Sequence, residues 1–137
     1  MEAGIAGKYF NSAVICMFME KWAERERQWT PLEVEQYSHH FRHRLLERTE
    51  ELLGTESEFT EVIYLGAGIF CCFLDLSGDC RTSAMQQRLT ESAAICYRHC
   101  QEELWDFGIS VSSVCMGEDG IRQAYQQARE MMKLHFL

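Results

Sequence analysis

The sequence is poor in the features that mark several common classes of protein. It has one proline in 137 residues, and 47% of its residues are hydrophobic, a composition that argues against long disordered stretches. Lys and Arg number 13 against 21 Asp and Glu, which gives a formal net charge of −8. Because nucleic-acid binding depends largely on Lys and Arg neutralising phosphates, this chain is not expected to bind DNA by itself.

The chain also lacks a long apolar run and a secretory signal. Its N-terminal apolar stretch, Ala13–Met19, is too short to span a bilayer and has no cleavage-site pattern. The seven cysteines are an odd number, and several lie within apolar runs, where thiols stay free and buried in a reducing compartment. We therefore expect a cytoplasmic protein with no membrane contact. The length indicates a single domain over residues 1–137.

The first half of the chain contains a strand and a long helix. Tyr9–Met19 is rich in aromatic and large apolar residues, which predicts a central strand buried on both faces. Lys21–Gln28 is mostly charged and is predicted to be a connection. A helix is predicted over Pro31–Leu53, because Thr30 can cap its first turn and Glu33 completes a capping box.

The middle of the chain combines a hairpin with a second long helix. The β-rich runs Glu61–Leu65 and Ile69–Leu76 are separated by a short glycine-containing link, which predicts a hairpin. A helix is predicted from Thr82 or Ser83 to Phe107. Its apolar stripe is formed by residues in steps of three and four, namely Met85, Leu89, Ala93, Cys96, Cys100, Leu104 and Phe107.

A strand over Ile109–Met116 and a helix over Ile121–Phe136 complete the predicted elements. The order is β-α-β-β-α-β followed by a closing helix. Two βα units around a hairpin give the split βαβ, ferredoxin-like arrangement. We therefore predict an α+β protein with an antiparallel sheet and helices packed mainly on one face.

Histidines supply one candidate metal site. His39 and His43 are four residues apart on the first long helix, a spacing that can place two metal ligands on one face. No glutamate lies between them as in H-E-x-x-H, and no third ligand is evident. Both lie off the predicted apolar face, which favours a solvent-exposed helix surface, and no metal or cofactor is expected.

Cysteines supply a second candidate. Cys96 and Cys100 are also four residues apart, with His99 between them, but they lie on the apolar stripe of their helix. Zinc sites usually show a second ligand pair elsewhere, whereas Cys71 and Cys72 are adjacent in a strand and point to opposite faces. Buried structural thiols are therefore favoured. The sequence also contains no G-x-x-x-x-G-K-[ST] or G-x-G-x-x-G loop for phosphates.

The tryptophans leave two alternatives open. Trp22, Trp29 and Trp105 lie beside or near charged residues and outside the most apolar runs. Exposed aromatic side chains of this kind can anchor an interface, whereas partial burial at the edge of the core is the favoured alternative for any one of them.

The hairpin carries a resemblance to a known family. Its sequence is Tyr64-Leu65-Gly66-Ala67-Gly68-Ile69-Phe70, followed by the apolar Cys71-Cys72-Phe73-Leu74. This resembles the R-[YL]-G-G-[DE]-E-F hairpin of the GGDEF, or diguanylate cyclase-like, domain family. Leu65, Gly66 and Phe70 match that pattern, but Gly68 and Ile69 replace its acidic pair and Tyr64 its basic residue.

The first strand also lacks acidic residues that active members of the family have. Active members end this strand with an acidic D-x-D-x-F-K type motif that helps to hold magnesium, whereas this chain has Met17-Phe18-Met19-Glu20-Lys21-Trp22. Nucleotide phosphoryl chemistry relies on metal ions to neutralise the phosphates. The resemblance therefore implies a domain that is not an enzyme and has no catalytic residues.

The C-terminal part of the sequence resembles one degenerate variant of this family more than its active members. "ISVSSVCMG" is similar to a late strand of the family, and Ala124–Ala128, with the pattern A-Y-x-x-A, is similar to the degenerate GGDEF-like segment of AraC-family response regulators. The resemblance covers nearly the whole chain. It implies one regulatory domain of a longer bacterial regulator, which couples signal input to a C-terminal helix-turn-helix domain outside this chain.

Two functions remain open under this resemblance. The first is a non-catalytic regulatory and dimerisation domain, homodimeric in the full-length protein, with DNA contacted only through the missing helix-turn-helix domain. The second is a small-molecule sensing domain of similar fold, in which a nucleotide is one possible ligand. For that alternative the candidate ligand-binding residues are Gly66, Ala67 and Gly68 of the hairpin, where glycine allows a tight turn. An ordinary hairpin in an unrelated ferredoxin-like domain is the alternative to the resemblance itself.

Overall fold

The computed structural model describes residues 11–53, 59–76, 82–103 and 105–135. Within these ranges the chain forms five strands and four helices and is a mixed α+β protein. In chain order they are β1 (Asn11–Met19), α1 (Trp22–Glu26), α2 (Pro31–Leu53), β2 (Phe59–Gly66), β3 (Ile69–Asp75), α3 (Thr82–Glu102), β4 (Phe107–Val111), β5 (Cys115–Met116) and α4 (Gly120–His135).

The strands form one antiparallel sheet in the order β2-β3-β1-β4, with β5 also paired to β1. Strand β1 is central, and Ile15 lies opposite Cys72 on one side and Val111 on the other. Strands β4 and β5 follow each other along β1. The Ser12–Cys115 pair is one residue out of register with the Ile15–Val111 pair, which is the pattern of a β-bulge.

Ser112 supplies the hydrogen bonds that the bulge would otherwise lose. The backbone N–H of Val14 donates to Ser112 Oγ at 2.9 Å, and the N–H of Ser112 donates to the carbonyl oxygen of Val14 at 2.9 Å. Both residues are buried. Since an unpaired buried backbone group is costly, this serine side chain holds β1 and the β4–β5 segment together at the interruption.

Strand β1 is buried along its whole length, as its composition predicted. Alternate residues of β1, among them Ile15 and Met17, belong to a large core cluster on one face of the sheet. The residues between them, Val14 and Cys16, belong to a smaller cluster on the other face, with Ala124 and Ala128 of α4. The sheet is therefore covered on both faces at its centre.

The helices are divided between the two faces. The large cluster joins the sheet to Trp22 of α1, Phe41 of α2 and Cys96 of α3, and Arg48 of α2 forms an ion pair with Glu102 of α3. Helix α4 lies on the opposite face, so three of the four described helices share one face, in agreement with the predicted packing mainly on one face. No helix in the described part of the chain is long and apolar enough to cross a membrane.

Most of the predicted elements are confirmed. Helix α2 spans Pro31–Leu53 as predicted, and its capping box is formed, since the Glu33 N–H donates to Thr30 Oγ1 at 3.2 Å and the Thr30 N–H donates to Glu33 Oε1 at 3.0 Å. The hairpin of β2 and β3 is also confirmed. Tyr9 and Phe10, at the start of the first predicted strand, lie outside the described residues.

Three predicted elements are wrong in part. The charged connection over Lys21–Gln28 contains the short helix α1. Helix α3 ends at Glu102, and Phe107 begins β4 instead of continuing the helical stripe. The strand predicted over Ile109–Met116 is two strands separated by the bulge. The predicted stripe residue Leu104 lies outside the described residues.

Candidate functional site

The β2–β3 hairpin, which the sequence predicted as the candidate ligand-binding segment, turns through Ala67 and Gly68. Both residues have positive φ, 53° and 77°, and Gly66 before them has a φ of 91°. Two successive positive φ values are typical of the tight two-residue turns that match the twist of a hairpin. Glycine adopts such values at little steric cost, whereas Ala67 adopts one at a cost of about 1–2 kcal/mol.

Trp22 of α1 lies directly against this turn. A Cβ atom added to Gly68 would lie 2.7 Å from Cβ of Trp22 and 2.8 Å from its Cγ, which is closer than carbon atoms can approach without a shift. Gly68 is thus required by the packing of the tryptophan as well as by the turn. No such tertiary contact could be deduced from the hairpin sequence.

The backbone of Gly68 already has hydrogen-bond partners inside the protein. Its carbonyl oxygen accepts from the backbone N–H of Met19 at 2.9 Å, and its N–H donates to the hydroxyl oxygen of Tyr64 at 3.3 Å. A turn that binds phosphate must present its N–H groups to the ligand. At Gly68 the donor instead points to Tyr64, and Trp22 occupies the adjacent space.

Trp22 is the centre of an aromatic cluster. It is 3% exposed, and its ring stacks on Trp105 with the centroids 5.3 Å apart. The guanidinium of Arg25 lies 4.3 Å from the centroid of the Trp105 ring, within cation–π distance. Other rings whose centroids lie within 6.3 Å of Trp22 belong to Trp29, Tyr37, Tyr64 and Phe70.

The cluster decides between the two alternatives left open for the tryptophans. Trp22 and Trp105 are buried and Trp29 is half-buried, which agrees with the favoured alternative of burial and excludes exposed anchors for the first two. Trp22 is buried although charged residues follow it, because α1 folds it inward while Glu24 and Arg25 stay exposed. The aromatic cluster therefore fills the space between α1, α2 and the hairpin.

The end of β1 supplies one carboxylate near the hairpin. Met19 is buried, and Glu20 follows it with its backbone N–H bonded to the carbonyl oxygen of Asp106 at 2.8 Å. Lys21 Nζ lies 3.8 Å from Asp106 Oδ2. A hollow of about 470 Å³ opens beside the turn, lined by Glu20, Lys21, Glu26 and Ala67 among others. Across the described ranges, no three His, Cys, Asp or Glu side chains are grouped so that they could hold a metal ion.

The histidines of α2 lie on its outer surface. His39, His40 and His43 are exposed, as their position off the apolar face predicted. His43 Nε2 lies 3.0 Å from Glu47 Oε1, one helical turn further on. A carboxylate can bind a metal, but His39, His43 and Glu47 are not among any group of three ligands close enough to hold an ion in the described part of the chain.

His99 of α3, which lies between Cys96 and Cys100 in the sequence, is a buried polar residue. It is 2% exposed, and its ring centroid lies 4.5 Å from that of Phe41. Burial lowers the pKa of His99 below its ordinary value of 6.5, against the opposite effect of Glu103 and Glu102. His99 is therefore a neutral imidazole within the packing between α2 and α3.

The cysteines form two groups on opposite faces of the sheet, as the alternation at Cys71 and Cys72 predicted. Cys16, Cys71 and Cys115 lie on the face covered by α4, while Cys72 of β3 lies on the other face in one cluster with Cys96 and Cys100 of α3. All six are free and buried. Cys80 lies outside the described residues.

The thiols of Cys16 and Cys71 are directly opposed on β1 and β3, and their Sγ atoms are 2.8 Å apart. The hydrogen bond between them lowers the pKa of Cys16, and the same bond together with burial raises that of Cys71. On the other face, burial raises the pKa of Cys72 and of Cys100. Neutral buried thiols are unreactive, so Cys71, Cys72 and Cys100, whose pKa values are raised, act as small core residues.

A groove lies between α2 and strand β2. Its volume is about 470 Å³. Val34 and Ser38 line it from the helix and Val62 and Tyr64 from the strand. Arg42 of α2 lies 3.6 Å from Glu61 of β2, and both side chains are 49% exposed. No pattern in the sequence indicated this groove, because it depends on how the helix lies across the edge of the sheet.

We compared the chain with protein-family models, with curated proteins and with solved structures, and found no match in any of the three.

Proposed function

We propose that this chain is a non-catalytic regulatory domain with a degenerate GGDEF-like fold, which links signal input to a DNA-binding domain in the same polypeptide. The full-length protein is then a homodimeric, cytoplasmic bacterial regulator of the AraC response-regulator type. Its DNA contacts belong to a helix-turn-helix domain beyond this segment. The sequence resemblance supports this assignment, and two features of the fold add to it.

The observation that carries the proposal is the contact of Trp22 with Gly68. In a cyclase of this fold the hairpin is expected to be open to a nucleotide, with carboxylates nearby to hold magnesium. Here the position next to the turn is filled by an indole ring, and Gly68 bonds to Met19 and Tyr64. A hairpin kept as a packing element and closed to phosphates supports a regulatory role.

The strand order adds support for the fold family. The sheet is ordered β2-β3-β1-β4, with helices α1 and α2 between β1 and β2 and helix α3 between β3 and β4. This order supports the split βαβ, ferredoxin-like arrangement. We propose that the chain has this topology, with α4 added on the opposite face. The net charge of −8 agrees with DNA contact through another part of the polypeptide.

One observation favours the alternative of small-molecule sensing. The hollow beside the turn presents Glu20, Lys21 and Glu26 next to Ala67, and polar groups converging on a cavity are the usual sign of a ligand site. A ligand there would contact both α1 and the hairpin. It could then shift an equilibrium between two conformations by binding one of them more tightly.

Two measurements test these functions. Incubation with GTP and Mg²⁺, beside an active diguanylate cyclase as the positive control, is expected to give no cyclic dinucleotide, and product formation would overturn the non-catalytic assignment. Thermal denaturation with a panel of nucleotides is expected to show no increase in Tm. An increase for one nucleotide, abolished by Lys21→Ala, would favour sensing instead.

The genetic context tests the regulatory assignment directly. The coding sequence on either side of this segment is expected to encode a receiver domain upstream and two helix-turn-helix motifs downstream. Flanking sequence that encodes neither would contradict the proposed place of this domain in a transcriptional regulator, while leaving the non-catalytic assignment to the cyclase assay.

A further inference from the structure

Strand β2 forms one edge of the sheet and pairs, within the described residues, only with β3. From Glu61 to Tyr64 its register with β3 is regular. Irregularities flank this stretch, between Phe59 and Glu61 and between Tyr64 and Gly66, and the opposite edge is interrupted by the bulge between β4 and β5. Bulges protect an edge from pairing with another chain, whereas a regular stretch of edge strand is a template for it, so residues 61–64 are the part of β2 that can pair.

The side chains of β2 do little to protect this edge. Ile63 is 38% exposed and Leu65 is 39% exposed. Glu61 is the one charged residue of β2, and it lies beside Arg42. Edge strands that stay unpaired usually carry lysine, proline or inward-pointing charges, and β2 has none of these.

The groove next to β2 has room for an extended strand. It runs between the edge of β2 and the first half of α2, and its volume is about 470 Å³. A strand added there forms backbone hydrogen bonds with β2, and its side chains contact Val34 and Ser38 of α2. The partner must therefore supply an extended backbone together with a surface that complements α2.

Helix α2 and strand β2 run in opposite directions along the groove. Arg42 lies beside Glu61, whereas Tyr37, earlier on the helix, and Tyr64, later on the strand, both pack against Trp22. The middle of the groove-facing part of α2, near Ser38, therefore lies beside the middle of β2. A two-fold axis through this point therefore places α2 beside α2, and β2 beside β2, of a second copy of the chain.

Such an axis brings together opposite charges from the two ends of the groove. Glu35 and Arg42, which both line the groove, are seven residues apart on α2, or about two helical turns. Since the axis lies midway between them, it brings each Glu35 towards the partner subunit's Arg42. Arg42 already lies near Glu61, but a guanidinium has five N–H donors and can bind two carboxylates.

We propose that two copies of this chain form a homodimer in which their β2 strands pair antiparallel and their α2 helices lie side by side. The two sheets become one continuous sheet, with Ile63 near the two-fold axis. The interface is isologous, as expected for a symmetric dimer. The inference rests on the proposed role as a dimerisation domain and names the surface that fulfils it.

Sedimentation equilibrium of the whole chain tests the dimer. The expected mass is twice the 16.0 kDa of the single chain, with dissociation on dilution. Ile63→Lys is expected to weaken association by at least about tenfold, because it buries a charge next to its own copy. Met116→Lys provides the matched control, since it places the same charge on β5 at the other edge, where Met116 is 67% exposed.

Charge reversal tests the predicted pairing across the axis. Glu35→Arg places like charges opposite the partner subunit's Arg42, and Arg42→Glu places like charges opposite the partner subunit's Glu35. Each variant alone is expected to dimerise at least about tenfold more weakly than the wild type. An equimolar mixture of the two is expected to dimerise again, because every Arg then faces a Glu. Glu130→Arg on α4 is the control reversal.

Circular dichroism of each variant shows whether it folds. A wild-type chain that is monomeric from micromolar to hundreds of micromolar concentration would overturn the inference. So would Glu35→Arg and Arg42→Glu variants that fold and dimerise like the wild type, or folded variants whose mixture fails to associate. A monomeric chain that makes no product from GTP would refute the dimer and leave the non-catalytic assignment intact. Failure of this inference can therefore be told apart from failure of the proposed function.

Discussion

A methyl group added to Gly68 would lie 2.7 Å from Cβ of Trp22, so the hairpin turn and helix α1 meet at a point with no space for a side chain. The turn and the aromatic cluster therefore depend on each other. We expect Gly68→Ala to lower the free energy of unfolding by about 2–4 kcal/mol, since the positive φ and the steric overlap both oppose alanine.

Gly66→Ala is the matched control for that substitution. Gly66 also has a positive φ, 91°, but nothing lies within 4 Å of an added Cβ. This variant is expected to lose only the conformational part, about 1–2 kcal/mol. Urea denaturation of both variants separates the two effects, and equal losses would show that the contact with Trp22 does not limit the size of residue 68.

The hydrogen bond of Ser112 at the β-bulge gives a second prediction. Ser112→Ala removes the acceptor for the buried N–H of Val14, and we expect a loss of about 1–3 kcal/mol in the free energy of unfolding. Ser113→Ala is the adjacent control, because the Ser113 hydroxyl is exposed and bonds to Gln127 on the surface. A loss of similar size in both variants would contradict the role assigned to Ser112.

The buried histidine predicts a dependence of stability on pH. The pKa of His99 is lowered in the folded protein by burial, so the unfolded chain takes up a proton at a higher pH than the folded chain does. The stabilising contribution is complete above the unfolded pKa of about 6.5 and is lost as the pH falls from there towards the folded pKa, by at most about 1.4 kcal/mol per pH unit.

The variant His99→Phe keeps a ring at this position and removes the titration. Urea denaturation at several pH values between neutral and mildly acidic is expected to show a flatter profile for His99→Phe than for the wild type. His40→Gln, at an exposed position, is the control and is expected to leave the profile unchanged. An unchanged profile in His99→Phe would assign the acid sensitivity to other groups.

The thiols give a fourth prediction. The six described cysteines are buried, so the native protein is expected to release at most one equivalent of thionitrobenzoate rapidly from Ellman's reagent, and seven after denaturation, in agreement with the sequence. The Cys80→Ser variant identifies whether the rapid equivalent comes from the one cysteine outside the described residues. Rapid reaction of two or more thiols in the native state would show that the sheet opens readily next to α4 or α3.

Local signals in the sequence were sufficient for some elements and misleading for others. The capping box of Thr30 and Glu33 located the start of α2 because every interaction lies within four residues. The end of α3 was misplaced because Phe107 continues the three- and four-residue steps of the stripe by coincidence. The backbone bond from Glu20 to Asp106 instead places the following segment beside β1.

The sequence predicted the hairpin, but not the packing around its turn. The glycines indicated the hairpin, but its contact with Trp22 depends on α1, a five-residue helix too short to show a periodic pattern. That helix follows Lys21, whose φ of 59° is uncommon for a lysine. Nothing in a charged stretch of this kind indicates such a backbone conformation.

The central position of β1 has a consequence for synthesis of the protein. β1 is the first described strand of the chain, and both its neighbours and its α4 cover come later, with pairs such as Cys16–Cys71 and Cys16–Ser110 spanning 55 and 94 residues. Contacts this distant in sequence form slowly. While the ribosome is still translating the region of β4 and α4, strand β1 has already been synthesised and still lacks one neighbouring strand and the helix that covers one of its faces. Chaperones that bind extended apolar segments therefore have their main target here.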